Sequence, residues 1–99
     1  MSDAVEVADH PDESRYEATL DGAVAGVAAY RLTGDVVTFT HTEVDPDHGG
    51  QGIGGKLARF ALDDARARGL RVHPRCTFMR SWIKGHPDYA DLVDEGYRG

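Results

Sequence analysis

The stretch TFTHTEVDPDHGGQGIGGKLARF, residues 38–60, decides how this chain folds. It begins as the end of a run rich in Val, Thr and Phe, Val36 to Val44, which reads as a β-strand. Five glycines then fall between Gly49 and Gly55, and the pattern turns helical. Glycine admits positive φ and close backbone approach, but it loses more conformational entropy on folding than any other residue. So dense a cluster implies a constraint, and a bound ligand is one candidate.

Downstream, Ile53, Leu57, Phe60, Ala61 and Ala65 recur at helical spacing, with Lys56, Arg59, Asp63 and Arg66 on another side. Asp64 and Arg68 interrupt the apolar side in the favourable acid-first i, i+4 order, so the spacing predicts one helix to about Arg68, stopped by Gly69. LRVHP then reads as a further strand. The i, i+4 pairs Phe78 with Trp82 and Met79 with Ile83 predict a short helix after Cys76, ended by Gly85. Pro87 suits the first turn of another short helix carrying Tyr89, Leu92 and Val93. Upstream, the alternating RYEATL (Arg15 to Leu20) is followed by Asp21-Gly22, a strong hairpin signal. A second strand follows over Val24 to Leu32, and Gly34-Asp35 turns the chain into Val36 to Val44. AVEVA near the N-terminus adds an edge strand. The result is an antiparallel meander followed by a helix, a strand and helices, which makes an α+β domain.

With 99 residues, the chain is expected to form a single domain over 1–99 with one core. No apolar run reaches membrane-spanning length, and the acidic N-terminus lacks the features of a signal peptide, so the expected address is the cytoplasm. Cys76 is the one cysteine, which excludes an internal disulfide. A net charge of -6 argues against general nucleic-acid binding. Residues 1 to 48 carry eleven acids against Arg15 and Arg31, whereas the cations from Lys56 to Lys84 face only Asp63 and Asp64. That second half contains either solvated helix faces or a local anion site.

Gly50, Gly52 and Gly55 satisfy the spacing of a dinucleotide fingerprint, but the strand before them belongs to a meander, and LRVHPRC offers no acid for a ribose. Gly55-Lys56 imitates a nucleotide P-loop, yet Leu57 stands where a Ser or Thr would ligate magnesium. A glycine-rich turn with no ligand is the plain structural alternative. The remaining ligand reading is a pyrophosphate cradle, in which backbone N–H groups and the positive end of a helix hold a diphosphate.

TEVDPDHGGQGIGGKLARFAL resembles the acetyl-CoA-binding segment of the GNAT superfamily of N-acetyltransferases, with its pattern V-x-P-x-x-[Q/R]-G-x-G-x-[G/A]. Val44, Pro46, Gly50, Gly52 and Gly54 fall on matching positions, and Gly49 stands where the superfamily has Gln or Arg. HTEV before the loop and VHPRCTFMRSWIKGHPDY after the helix resemble more narrowly the small GNAT-like group typified by YjdJ-type acetyltransferases. The resemblance spans residues from about 14 to 93. It implies a compact GNAT-like α+β fold that binds acetyl-CoA, with Val44, Gly49, Gly50, Gln51, Gly52, Ile53, Gly54, Gly55 and Lys56 around the cofactor. It also implies acetyl transfer to an amine of a small molecule or protein. A monomer or small homo-oligomer is expected, and charge, hydropathy and the single cysteine set the expectation of no nucleic acid, membrane or metal partner. The alternative is a CoA-binding regulatory or interaction module without turnover.

Acetyl transfer to an amine needs a base, an oriented carbonyl and an acid for the thiolate. Unless a bulge intervenes, His41 and Glu43 share a face with Val37 and Phe39. The resemblance makes Glu43 the candidate general base, with His41 as its alternative. It also puts Cys76 near the CoA thiol, either as an acetyl acceptor or as a residue lining the cleft. Tyr89 is a candidate acid, against the packed role its apolar neighbours favour. His73-x-x-Cys76 has a metal-like spacing, but no second clustered pair completes a zinc site.

Overall fold

A computed structural model describes residues 5–46 and 52–94. The chain order is β1 (Val5–His10), a 3-10 turn (Pro11–Glu13), β2 (Arg15–Leu20), β3 (Ala23–Thr33), β4 (Val36–Val44), α1 (Ile53–Ala67), β5 (Arg71–Pro74), α2 (Thr77–Lys84) and a second 3-10 turn (Pro87–Leu92). The strands form one sheet in sequence order, β1 to β4 antiparallel and β5 parallel to β4. This is the α+β architecture expected. Asp21 and Gly22, at φ 54 and 81, supply the two left-handed positions of the tight β2–β3 turn.

One expectation about topology fails. β4 ends the meander, but it also opens a parallel β4–α1–β5 crossover. A dinucleotide fingerprint is therefore not excluded by the lack of a βαβ unit. Against it stands the end of β5, which carries Pro74 and Arg75 and no acid.

The core lies between one face of the sheet and the helices. Tyr16, Ala18, Ala28, Tyr30, Val37 and Phe39 contribute from the strands, Ile53, Leu57, Ala61, Leu62 and Ala65 from α1, and Met79 and Ile83 from α2. In the middle of β3, Gly26 lets α1 sit close to the sheet. A Cβ there would lie 3.0 Å from Ile53 Cγ2, 3.1 Å from Leu57 Cδ1 and 3.2 Å from the Glu43 carbonyl oxygen.

A polar network ties the sheet to the end of α1. The Tyr16 hydroxyl, on a side chain 1% exposed, donates to Asp64 Oδ2 at 2.7 Å, and Tyr30 donates to Asp9 Oδ1 at 2.7 Å. Arg68 joins the two, 3.2 Å from Asp64 and 3.5 Å from Asp9, so the expected Asp64–Arg68 pair forms. Burial and then Asp64 push the Tyr16 hydroxyl far above the ordinary phenol range, and burial with Asp9 pushes Tyr30 up to about 12. Both hydroxyls therefore remain donors at neutral pH. Asp64→Ala leaves the buried Tyr16 hydroxyl without its acceptor and should cost about 1–3 kcal/mol in urea unfolding. Adding Tyr16→Phe to that variant should recover part of the loss.

Candidate functional site

The site forms where β4 parts from β5. Their pairing runs from Val36↔Arg71 to Phe39↔Pro74, and the Cys76 N–H then donates to the Phe39 carbonyl at 2.9 Å. There the chain turns away into α2, with Cys76 as the residue before its first turn. β3 continues to hold β4 as far as Gly26↔Val44. The segment from Thr40 to Val44 is thus paired along one edge and has no β5 partner along the other.

A bulge sets the side chains of this segment. Ala29 pairs with His41 and Tyr30 with Phe39, so Thr40 is an extra residue on β4. The bulge reverses the alternation. His41 and Glu43 do not share the face of Val37 and Phe39, as unbroken alternation predicts; they stand on the open face, 64% and 73% exposed, with His41 Nε2 3.8 Å from Glu43 Oε1. Thr42 takes the helix face instead. There the Cys76 thiol, 8% exposed, donates to Thr42 Oγ1 at 3.2 Å. The three chemical candidates are brought to the same opening from opposite sides of the sheet, His41 and Glu43 from one and Cys76 from the other. Thr42 escaped sequence reasoning because only the bulge turns it toward Cys76.

Of the expected cofactor residues, Gly49, Gly50 and Gln51 lie outside the described residues. Gly52 precedes α1 at φ 71, a conformation that suits glycine. Among the described residues no side chain caps α1, and a helical bond runs from the Lys56 N–H to the Gly52 carbonyl at 3.0 Å. The N–H groups of Ile53, Gly54 and Gly55 therefore precede the intrahelical ladder and suit an anion. Gly54 and Gly55 also have a packing role. An added Cβ would lie 2.8 Å from Phe78 Cζ at Gly54 and 3.6 Å from Trp82 Nε1 at Gly55, so α2 rests against the bare first turn of α1. Ile53 is buried beneath it, and Val44 is partly buried against the core.

Lys56 lines a groove between α1 and β1 with Val5, Val7, Arg59, Phe60 and Asp63, at the opposite edge of the sheet from β5. The other cations of the second half are largely engaged. Arg66 grips Asp91 at 2.9 and 3.0 Å, Arg68 holds Asp64 and Asp9, and Arg59 stands 5.4 Å from the centre of the Trp82 ring. Tyr89 is buried and donates to Asp63 at 2.6 Å, which raises its pKa and gives it the packed role. His73 meets Asp94 at 2.9 Å while Cys76 faces Thr42, so the metal-like spacing does not become a cluster. Among the described residues His10, Glu13 and Glu17 do gather, but Arg15 already pairs with both carboxylates, 3.5 Å from Glu13 and 2.6 Å from Glu17.

The sequence that builds this corner matches a known family. The family description "GCN5-related N-acetyl-transferase" fits residues 15–92. The chain belongs to the GCN5-related N-acetyltransferase family. Protein NATD1 of Bos taurus is 36% identical over 62 residues, which is 62% of this chain and 55% of that protein. Human NATD1 is 34% identical over the same length, again 55% of that protein, so the chain spans about half the length of these curated relatives. Among solved structures, the ribosomal-protein-S18-alanine N-acetyltransferase of Escherichia coli aligns with a TM-score of 0.57 and 29% identity, over 59% of this chain and 38% of that one. A GCN5-like protein of Staphylococcus aureus aligns more completely, with a TM-score of 0.70 over 90% of this chain and 87% of that one; at 23% identity it attests the acetyltransferase fold alone.

Proposed function

We propose that this GCN5-related N-acetyltransferase domain, taken as one unit over residues 1–99, binds acetyl-CoA at the β4–α1 corner and transfers its acetyl group to an amine. The observation that carries the reading is the opening between β4 and β5, flanked by Glu43 and His41 on one side and Cys76 on the other. The residues present fit the cofactor. The N–H groups that precede the helical ladder of α1 suit its diphosphate, and the edge from Thr40 to Val44, beyond the last β5 pairing, offers backbone groups to an extended amide-bearing arm. Acetyl-CoA supplies the activated acyl carbon.

The protein's own part is to orient and to move protons. An aliphatic amine is protonated at neutral pH and cannot attack until it loses a proton. Glu43 is exposed, and its carboxylate accepts that proton directly or through one water. His41, 3.8 Å away, passes it toward solvent. The neutral nitrogen then forms its bond to the acyl carbon as the carbon–sulfur bond breaks, and the second nitrogen proton balances the thiolate. Cys76 lines the opening from the helix side with its thiol held by Thr42.

The test is release of CoA thiol across a panel of amines, with intact mass after exposure to acetyl-CoA as a second readout. Amine-dependent release with no lasting acetyl adduct supports direct transfer, and an adduct lost in Cys76→Ala gives Cys76 a covalent part. Tight binding of acetyl-CoA with no release on any amine replaces the enzyme with a binding module.

A further inference from the structure

We propose that Thr42 and Cys76 form a proton relay to the leaving sulfur, with Thr42 as the member that hands the proton over. The inference rests on the acetyl-transfer reading and supplies the acid that reading needs. Tyr89, the residue the sequence offered for that task, is buried and bound to Asp63 at 2.6 Å.

Two features of the chain converge on the pair. β4 gives up regular alternation at Thr40, and that bulge turns Thr42 to the helix face. Cys76 holds the position before α2, which favours side chains able to cap the helix, yet its side chain makes no capping bond. The buried thiol instead reaches Thr42 Oγ1 at 3.2 Å, while the Cys76 N–H holds the Phe39 carbonyl at 2.9 Å. The thiol–hydroxyl bond therefore bridges β4 and the β5–α2 turn just beyond the last β4–β5 pair, Phe39↔Pro74. Thr42 Oγ1 accepts the thiol proton, and among the described residues no acceptor takes its own hydroxyl hydrogen.

The step balances. Thr42 gives its hydroxyl proton to the sulfur as the carbon–sulfur bond breaks and the electron pair stays on that sulfur. Thr42 Oγ1 takes the Cys76 thiol proton, and the second proton leaving the acylated nitrogen restores the thiol. Both ends of the relay are thiols, so the proton moves between groups of matched basicity. Cys76 stays unacylated throughout.

Cys76 is the one cysteine, so alkylation by iodoacetamide reads the pair directly in the free protein. A hydroxyl at position 42 stabilises the thiolate by donating to it. Thr42→Val should therefore slow alkylation severalfold at neutral pH, and Thr42→Ser should restore it. A side chain that only packed there would, on substitution, loosen the contact and speed alkylation. In turnover with the amine that wild type uses fastest, Thr42→Val should lower kcat about tenfold with KM for acetyl-CoA unchanged, and Thr42→Ser should recover most of the loss. Thr42→Val combined with Cys76→Ala should lose no more than Cys76→Ala alone, because the two act as one unit. Four results overturn the relay and leave acetyl transfer standing: alkylation of Thr42→Val that is unchanged or faster, an unchanged kcat, losses that multiply in the double variant, or an acetyl adduct on wild-type Cys76. Wild-type protein that binds acetyl-CoA but transfers to no amine overturns both readings.

Discussion

Gly26→Val is expected to destabilise the protein by about 3 kcal/mol, the upper end of what overpacking a close-packed interior costs. Gly26 lies in the strand that pairs with both β2 and β4, opposite Ala18 and Val44. The first added carbon already meets Ile53 Cγ2 at 3.0 Å and Leu57 Cδ1 at 3.1 Å, on side chains 1% and 0% exposed. It also meets the Glu43 carbonyl at 3.2 Å, a backbone atom that cannot rotate away. Valine's higher strand propensity is worth at most about 1 kcal/mol and does not offset the clash. The helix must lift, and its N-terminus is where the diphosphate is proposed to bind. A lower urea midpoint with an unchanged m-value should therefore accompany weaker acetyl-CoA binding. Unchanged stability would mean that α1 does not depend on the bare backbone at Gly26.

The second large effect falls on activity and leaves the fold intact. Glu43→Gln keeps the size of a side chain that is 73% exposed, so the thermal midpoint should stay within about 1–2 °C of wild type. Loss of a positioned base should lower kcat/KM by about 100-fold or more, with acetyl-CoA affinity preserved. Raising the pH toward the pKa of the acceptor amine should recover part of the rate, because a larger fraction of the amine then arrives neutral. His41→Asn should have a smaller effect, since His41 reaches the acceptor through Glu43. Equal rates in wild type and Glu43→Gln at neutral pH would remove Glu43 from the chemistry.

The elements of the fold were legible because each carries its own local signal. Asp21-Gly22 asks for two positive φ angles and has them, and the Ile53 to Ala65 spacing is that of a helix on a core. What the sequence hid depends on contacts between distant segments. The bulge at Thr40 has no glycine or proline to mark it, and it alone decides that Glu43 is exposed while Thr42 meets Cys76. The direction of β5 follows from the crossover and not from any residue within RVHP. The glycine cluster suits either a ligand cradle or a plain turn, and no local signal shows that Gly54 and Gly55 also receive Phe78 and Trp82. Gly26 went unnoticed among the small residues of AVAGVAA, although a glycine inside a strand is itself a sign of close approach by another segment. The run of cations left solvated helix faces and a local anion site both open, and the fold gives Arg66 and Arg68 to aspartates elsewhere.

The central claim is that the β4–α1 corner binds acetyl-CoA, and thermal unfolding with and without that ligand tests it most directly. At about 100 times its dissociation constant, a ligand confined to the native state adds about 2.7 kcal/mol. For a domain near 100 residues that corresponds to a rise of about 10 °C or more in Tm. The predicted result is such a rise in wild type, much reduced in Gly52→Val, whose side chain would have to adopt the positive φ that glycine holds before α1. An unchanged Tm for wild type at millimolar acetyl-CoA would contradict the account.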